Sequence, residues 1–74
     1  MTPTEFKIIK LLLMNRGIVF STEKIYDKIW GEEDFEVDNT VMVHIRNLRD
    51  KIEEDNKNPQ YIKTVWGVGY KLGE

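Results

Sequence analysis

The chain has no cysteine among its 74 residues, which excludes disulfide staples and thiolate metal sites. A domain this small must then be held by a single apolar core. The absence is compatible with a reducing, cytoplasmic setting. Histidine is nearly absent too. His44 is the only one, so a zinc ion would have carboxylates alone beside it, and no metal is expected. No nucleophile or partner is arranged around His44, and the chain offers no pocket-sized core, so neither an enzyme nor a cofactor is expected. Long hydrophobic runs are missing: "KIIKLLLM" is far too short to span a bilayer and lacks a cleavage pattern, so no membrane association is expected. There is also no excess of positive charge. With 11 basic and 13 acidic residues the formal charge is −2, which argues mildly against a nucleic-acid partner.

What is present qualifies that last point, because the charges are segregated. From Glu32 to Asp38, "EEDFEVD" carries five acids and no base, whereas Arg46, Arg49, Lys51, Lys57, Lys63 and Lys71 follow it. One face can attract phosphate while another repels it.

Punctuation along the chain defines five elements. "TPTEF" opens a first helix with Thr2 as N-cap, Pro3 in the first turn and Glu5 placed for a capping box. It should end near Asn15–Arg16, with Gly17 as the left-handed residue beyond. Its apolar residues form two stripes, Phe6–Ile9–Leu13 and Ile8–Leu11–Leu12, so two covers are needed. "IVF", residues 18–20, predicts a brief strand. "STEKIYDKIWG" predicts a second helix with Ser21 as cap, Ile25 and Ile29 inward with Tyr26 or Trp30, and Gly31 at its end. A third helix starts near Asp38, a good N-cap, and runs to about Asp55. After the polar turn "DNKNPQ", the segment "YIKTVWGVGYKL" predicts a β-hairpin, with Gly67 and Gly69 permitting the reversal. "GVG" there lacks the spacing and context of a phosphate loop. Phe6, Phe20, Tyr26, Tyr61 and Tyr70 read as core aromatics. Met42 falls between seam and surface.

The third helix is the informative one. Val41, Ile45, Leu48 and Ile52 share one side and form the buried seam. Opposite them lie Asn39, Val43, Arg46, Asn47 and Asp50, flanked by His44 and Arg49. Arginine can pair with guanine, asparagine with adenine, and a small aliphatic group can touch a thymine methyl. Flanking basic groups can reach phosphates. The same face has a plainer reading. Arg46–Asp50 and Arg49–Glu53 stand at i,i+4, so both arginines can belong to surface ion pairs, each contributing only ~0.2–0.5 kcal/mol. An exposed valine is also unremarkable.

The order of elements separates these readings, since a helix–turn–helix followed by a hairpin is the winged-helix plan. The segments "TPTEFKIIKLL", "VFSTEKIYDKIWG", "VDNTVMVHIRNLRDKIE" and "YIKTVWGVGYKL" resemble the DNA-binding output domain of bacterial OmpR/PhoB-class response regulators, in a VanR-like variety. The resemblance covers nearly the whole chain. It implies one α+β winged helix-turn-helix domain over residues 1–74, with three helices, a short strand and a C-terminal hairpin wing. Residues 38–54 would be the recognition helix in the major groove of double-stranded DNA. Asn39, Val43, Arg46 and Asn47 would lie near bases. Trp30, Thr40, His44, Arg49 and Thr64 would lie near the DNA backbone, and Trp66, Gly67, Val68 and Gly69 would form the wing. The loop 31–37, with Glu32, Glu33, Asp34, Phe35 and Glu36, would face RNA polymerase. The function implied is cytoplasmic transcription regulation within a two-component phosphorelay.

The chain departs from that pattern in two ways. Thr22, Asn39 and Asn47 stand where many members carry arginine, and Trp66 replaces a common wing arginine; Trp66 is expected to brace the hairpin. Fewer cations predict weak binding with a shallow salt dependence. The low cation count also supports an alternative, a winged helix used as a protein-interaction module. Second, members place a small sheet and a receiver domain before the first helix. The chain therefore reads as truncated at its N-terminus, with the stripe Ile8–Leu11–Leu12 uncovered and driving self-association.

Overall fold

The computed structural model describes residues 2–31 and 37–73, with Val37 and Asp38 as backbone only. Three helices, α1 (Pro3–Met14), α2 (Thr22–Ile29) and α3 (Val37–Ile52), are followed by strands β1 (Ile62–Val65) and β2 (Gly69–Leu72). This is the winged helix-turn-helix arrangement.

Caps set the helix starts. The Glu5 amide donates to Thr2 Oγ1 at 3.2 Å, and the Thr2 amide donates back to Glu5 Oε1 at 3.1 Å. This reciprocal pair satisfies two otherwise orphaned donors. At α2, the Lys24 amide donates to Ser21 Oγ at 3.1 Å. The third helix differs from expectation at both ends. It already includes Val37, so Asp38 lies inside the first turn. It stops at Ile52, before the expected Glu54–Asp55, because the next residue turns inward. The Glu53 carboxylate is buried and accepts the amides of Gln60, Tyr61 and Ile62.

The hairpin is antiparallel, with Ile62 opposite Leu72 and Thr64 opposite Tyr70. The expected "IVF" strand shrinks to one residue. Phe20 exchanges both backbone hydrogen bonds with Tyr70, at 2.8 and 2.9 Å. Gly69 is required by that approach, since a Cβ there would lie 2.0 Å from the Phe20 carbonyl oxygen. Gly67 serves differently, taking a left-handed φ of +79° in the turn.

The core joins Ile8 and Leu12 of α1, Ile25 and Tyr26 of α2, and Val41, Ile45 and Leu48 of α3 to Phe20, Ile62, Tyr70 and Leu72. Each fully buried aliphatic side chain contributes roughly 1.5–3 kcal/mol. Helix α1 corrects an expectation here. Ile8 and Leu12 are fully buried and Leu11 is half-buried against the core, so this stripe presents no surface for self-association. The outward stripe is the other one, with Phe6 and Leu13 more than half exposed. Helical period defines both stripes equally. The choice is made by Glu5, which shares the inner side with Ile8 and Leu12 and forms an ion pair with Lys51 of α3 at 2.5 Å. Phe6 and Tyr61 accordingly are not core aromatics, whereas Phe20, Tyr26 and Tyr70 are. A shallow apolar groove of about 350 Å³ runs between Ile9, Leu13, Ile52, Tyr61 and Leu72. No helix among the described residues is long and apolar enough to cross a membrane.

Candidate nucleic-acid interface

The seam of α3 is buried at Val41, Ile45 and Leu48, each at 1% exposure or less, and half-buried at Ile52. Burying that edge turns Asn39, Val43, Arg46, Asn47 and Asp50 outward, and all five are exposed. Asn39, Arg46 and Asn47 form no side-chain hydrogen bond or ion pair with any described residue. The plainer reading of two surface ion pairs is not realised among the described residues, where the one salt bridge is Lys51–Glu5. Asp50 instead accepts from the side-chain Nδ2 of Asn56, and Glu53 is committed to backbone amides. Apart from Asp50, the face therefore holds polar groups whose hydrogen-bonding capacity is not used among the described residues.

Two flanks border it. On one, Trp30 at the end of α2 stacks on Tyr26, with ring centroids 4.8 Å apart, and its ring meets His44 edge-on at 5.2 Å. His44 Nδ1 lies 2.8 Å from the Thr40 carbonyl oxygen. A carbonyl only accepts, so Nδ1 carries a hydrogen and Nε2 is the nitrogen left for another partner. Thr40, His44 and Trp30 are thus brought together on a half-buried edge.

On the other flank, Arg49 and Thr64 are brought together, although 15 residues separate them. Arg49 Nε and Nη2 donate to the Ile62 carbonyl at 3.2 and 2.9 Å, and Nη2 also donates to Thr64 Oγ1 at 2.8 Å. The guanidinium carbon sits 5.6 Å from the centroid of the Tyr70 ring. Beyond this flank the hairpin turn carries Trp66, Gly67 and Val68. Trp66 is 88% exposed, which corrects the bracing role expected of it. It follows the last ladder pair, Val65–Gly69, where no strand face remains to pack on.

Sequence reasoning missed Glu53 and Tyr70 as groups that position this edge, because both act across turns that no local pattern reveals. It also counted Lys51 among the cations open to phosphate, whereas the structure pairs it with Glu5. That pairing, followed by the Thr2 amide bond, holds the Glu5 carboxyl below its ordinary range. Glu32, Glu33, Asp34, Phe35 and Glu36 lie outside the described residues.

Comparison with known proteins agrees with this geometry. VanR, a regulatory protein of Enterococcus faecium, is 53% identical over 73 residues, which is 97% of this chain and 32% of VanR. The response regulator DrrB of Thermotoga maritima, an OmpR/PhoB homologue, superposes with a TM-score of 0.90 at 36% identity, covering 100% of this chain and 33% of DrrB. The DNA-binding domain of Klebsiella pneumoniae RstA, solved in complex with the RstA box, superposes at 0.88 with 25% identity, covering 99% of this chain and 72% of that one. The chain thus spans about a third of the length of the curated relatives it matches. The family model for the C-terminal part of transcriptional regulatory proteins matches residues 1–72, and the chain belongs to that family, alongside the output domains of OmpR/PhoB-class response regulators.

Proposed function

We propose that the chain binds duplex DNA sequence-specifically, with the outward face of α3 in the major groove, and that it serves as the output domain of a two-component regulator of transcription. The observation that carries this reading is the outer edge of α3, where Asn39, Arg46 and Asn47 are exposed and unpaired among the described residues around an exposed Val43. These four read bases: the guanidinium suits guanine, the amides suit adenine, and the valine suits a thymine methyl. Trp30, Thr40, His44 and Thr64 take the phosphates on either side. His44 faces the DNA with Nε2, since Nδ1 already donates to the Thr40 carbonyl. The wing, residues 66–69, meets the adjacent minor groove with an indole and an aliphatic side chain in place of a cation.

The acidic segment 31–37 suits a protein partner rather than phosphate, and RNA polymerase is the partner it fits in a regulator of this class. Such a protein works in the cytoplasm, where the DNA is.

The test is selection of duplexes from a random pool at low and moderate salt, followed by titration of wild type, Arg46→Ala and Glu33→Gln. Loss of one bidentate base contact should cost ~1–3 kcal/mol and relax specificity at one position. Glu33→Gln should bind as wild type. Enrichment of no sequence, together with indifference to Arg46, would transfer the fold to the role of a protein-interaction module.

A further inference from the structure

We infer that Arg49 is a positioning residue: it holds the wing strand against the recognition helix and aims the Thr64 hydroxyl at a DNA phosphate, without itself neutralising one. The inference rests on the DNA-binding reading above and assigns the division of labour within it.

Three observations converge. Three of the five N–H donors of Arg49 are committed inside the fold, since Nε and Nη2 together make three hydrogen bonds, two to the Ile62 carbonyl and one to Thr64 Oγ1. The ring of Tyr70, which pairs with Thr64 across the hairpin, lies beside the same guanidinium. A planar group held at a carbonyl, a hydroxyl and an aromatic ring has little freedom to swing outward. Finally, guanidinium only donates. Thr64 Oγ1 must accept from it, so the hydroxyl hydrogen is directed away from Arg49, and no described residue takes it. Thr64 is only half-buried, so a phosphate oxygen can accept that hydrogen. Arg49 and Glu53, one turn apart, also grip successive parts of the same segment. Glu53 takes the Ile62 amide while Arg49 takes the Ile62 carbonyl. Both polar groups of one backbone residue are thereby fixed to α3 and the residue that follows it, which sets the height at which the hydroxyl meets the DNA.

A phosphate-binding arginine and a positioning arginine differ in salt dependence. Neutralising one phosphate contributes about 0.9 to the slope of log K against log salt, whereas orienting a neutral hydroxyl contributes nothing to it. The measurement is the affinity of the 74-residue chain for a duplex that the wild type recovers from a random pool, over a series of salt concentrations. The variants are Arg49→Lys, Arg49→Met, Thr64→Val, Thr64→Ser and Arg49→Lys with Thr64→Val. Thr64→Val should weaken binding roughly tenfold, the size of one hydrogen bond to a charged acceptor, and Thr64→Ser should restore it. Arg49→Lys keeps the charge but loses the fork, so it should weaken binding to a similar degree. The double variant should be no weaker than the weaker single one. Arg49→Met should leave the salt slope at its wild-type value.

Wild-type affinity in Arg49→Lys or in Thr64→Val, multiplicative losses in the double variant, or a slope lowered by about 0.9 in Arg49→Met would each overturn the inference while leaving DNA binding intact. Thr64→Val changes no residue of the core, so wild-type affinity in it would overturn the inference even if an Arg49 variant failed to fold. A wild-type chain that retains no duplex at low salt would overturn both readings together.

Discussion

Replacing Glu53 with glutamine keeps the side chain's length and removes only its charge and one acceptor. The native carboxylate is 8% exposed and divides its oxygens between three amides: Oε1 takes Gln60 at 2.7 Å, Oε2 takes Ile62 at 2.8 Å, and Tyr61 is shared at 3.2 and 3.0 Å. A glutamine in this place must turn its NH₂ toward one side of that fan. Either the Gln60 or the Ile62 amide then faces a donor. One orphaned buried amide costs about 1–3 kcal/mol, and converting the surviving charge-assisted bonds to neutral ones costs about 1 kcal/mol more. The expected loss is therefore about 2–4 kcal/mol. A 74-residue domain has a total stability of roughly 4–11 kcal/mol at typical values per residue. The substitution should consequently remove a large part of it and lower Tm by about 10 °C or more.

Urea unfolding followed by circular dichroism measures the loss, with an unchanged m-value expected if the denatured state is unaffected. Hydrogen exchange locates it: the amides of residues 60–62 should lose protection before those of α1. A change below about 0.5 kcal/mol, the ordinary range for a surface position, would refute the reasoning. The carboxylate would then be incidental to where β1 sits.

Three further outcomes follow from the same geometry. Trp66→Arg should tighten DNA binding at low salt and steepen the salt slope by about 0.9, because a minor groove attracts a cation that the indole does not supply; titration at several salt concentrations checks this. Gly69→Ala should destabilise the fold by about 2 kcal/mol or more in a denaturant titration, since the Cβ would meet the Phe20 carbonyl at 2.0 Å and must part the pair that Phe20 makes with Tyr70. Glu5 has a folded pKa below its ordinary value of 4.5, chiefly through Lys51, so its contribution is present at neutral pH and disappears as pH falls from that value through the depressed one. Stability measured from pH 7 into acid should show Lys51→Met less stable at pH 7, with the gap narrowing as Glu5 protonates.

The parts of the fold legible in the sequence are those governed by local rules. Thr2 and Ser21 announce their helices because a cap acts over three residues, and Val41, Ile45, Leu48 and Ile52 announce the seam because helical period alone puts them on one side. Helix α1 exceeds that reach. Its two apolar stripes satisfy the same period, and the difference between them is made by Glu5, whose partner Lys51 is 46 positions away. No local window contains both. The end of α3 at Ile52 is illegible for the same reason, since Glu53 has an ordinary propensity to continue a helix and leaves it only to meet amides seven to nine residues later.

Arg46 and Arg49 show how far the site itself could be read. They are the same residue type, three positions apart on one helix, and residue type alone suits either to a base, a phosphate or an ion pair. Three residues of helix turn the side chain through about 300°, leaving Arg49 some 60° nearer the buried seam than Arg46. That rotation decides what each meets. Arg46 stays on the outer face with no described partner, whereas Arg49 reaches the edge of the hairpin and finds the Ile62 carbonyl, the Thr64 hydroxyl and the Tyr70 ring. A guanidinium in solution is fully hydrated, and it gives up that hydration only where acceptors stand ready in a matching geometry. The hairpin supplies them on one side of α3 alone. On the DNA-binding reading proposed above, the face offered to a groove is delimited by the wing as much as by the helix: the α3 side chain that the wing engages is held inside the fold, and those beyond its reach are left to read bases.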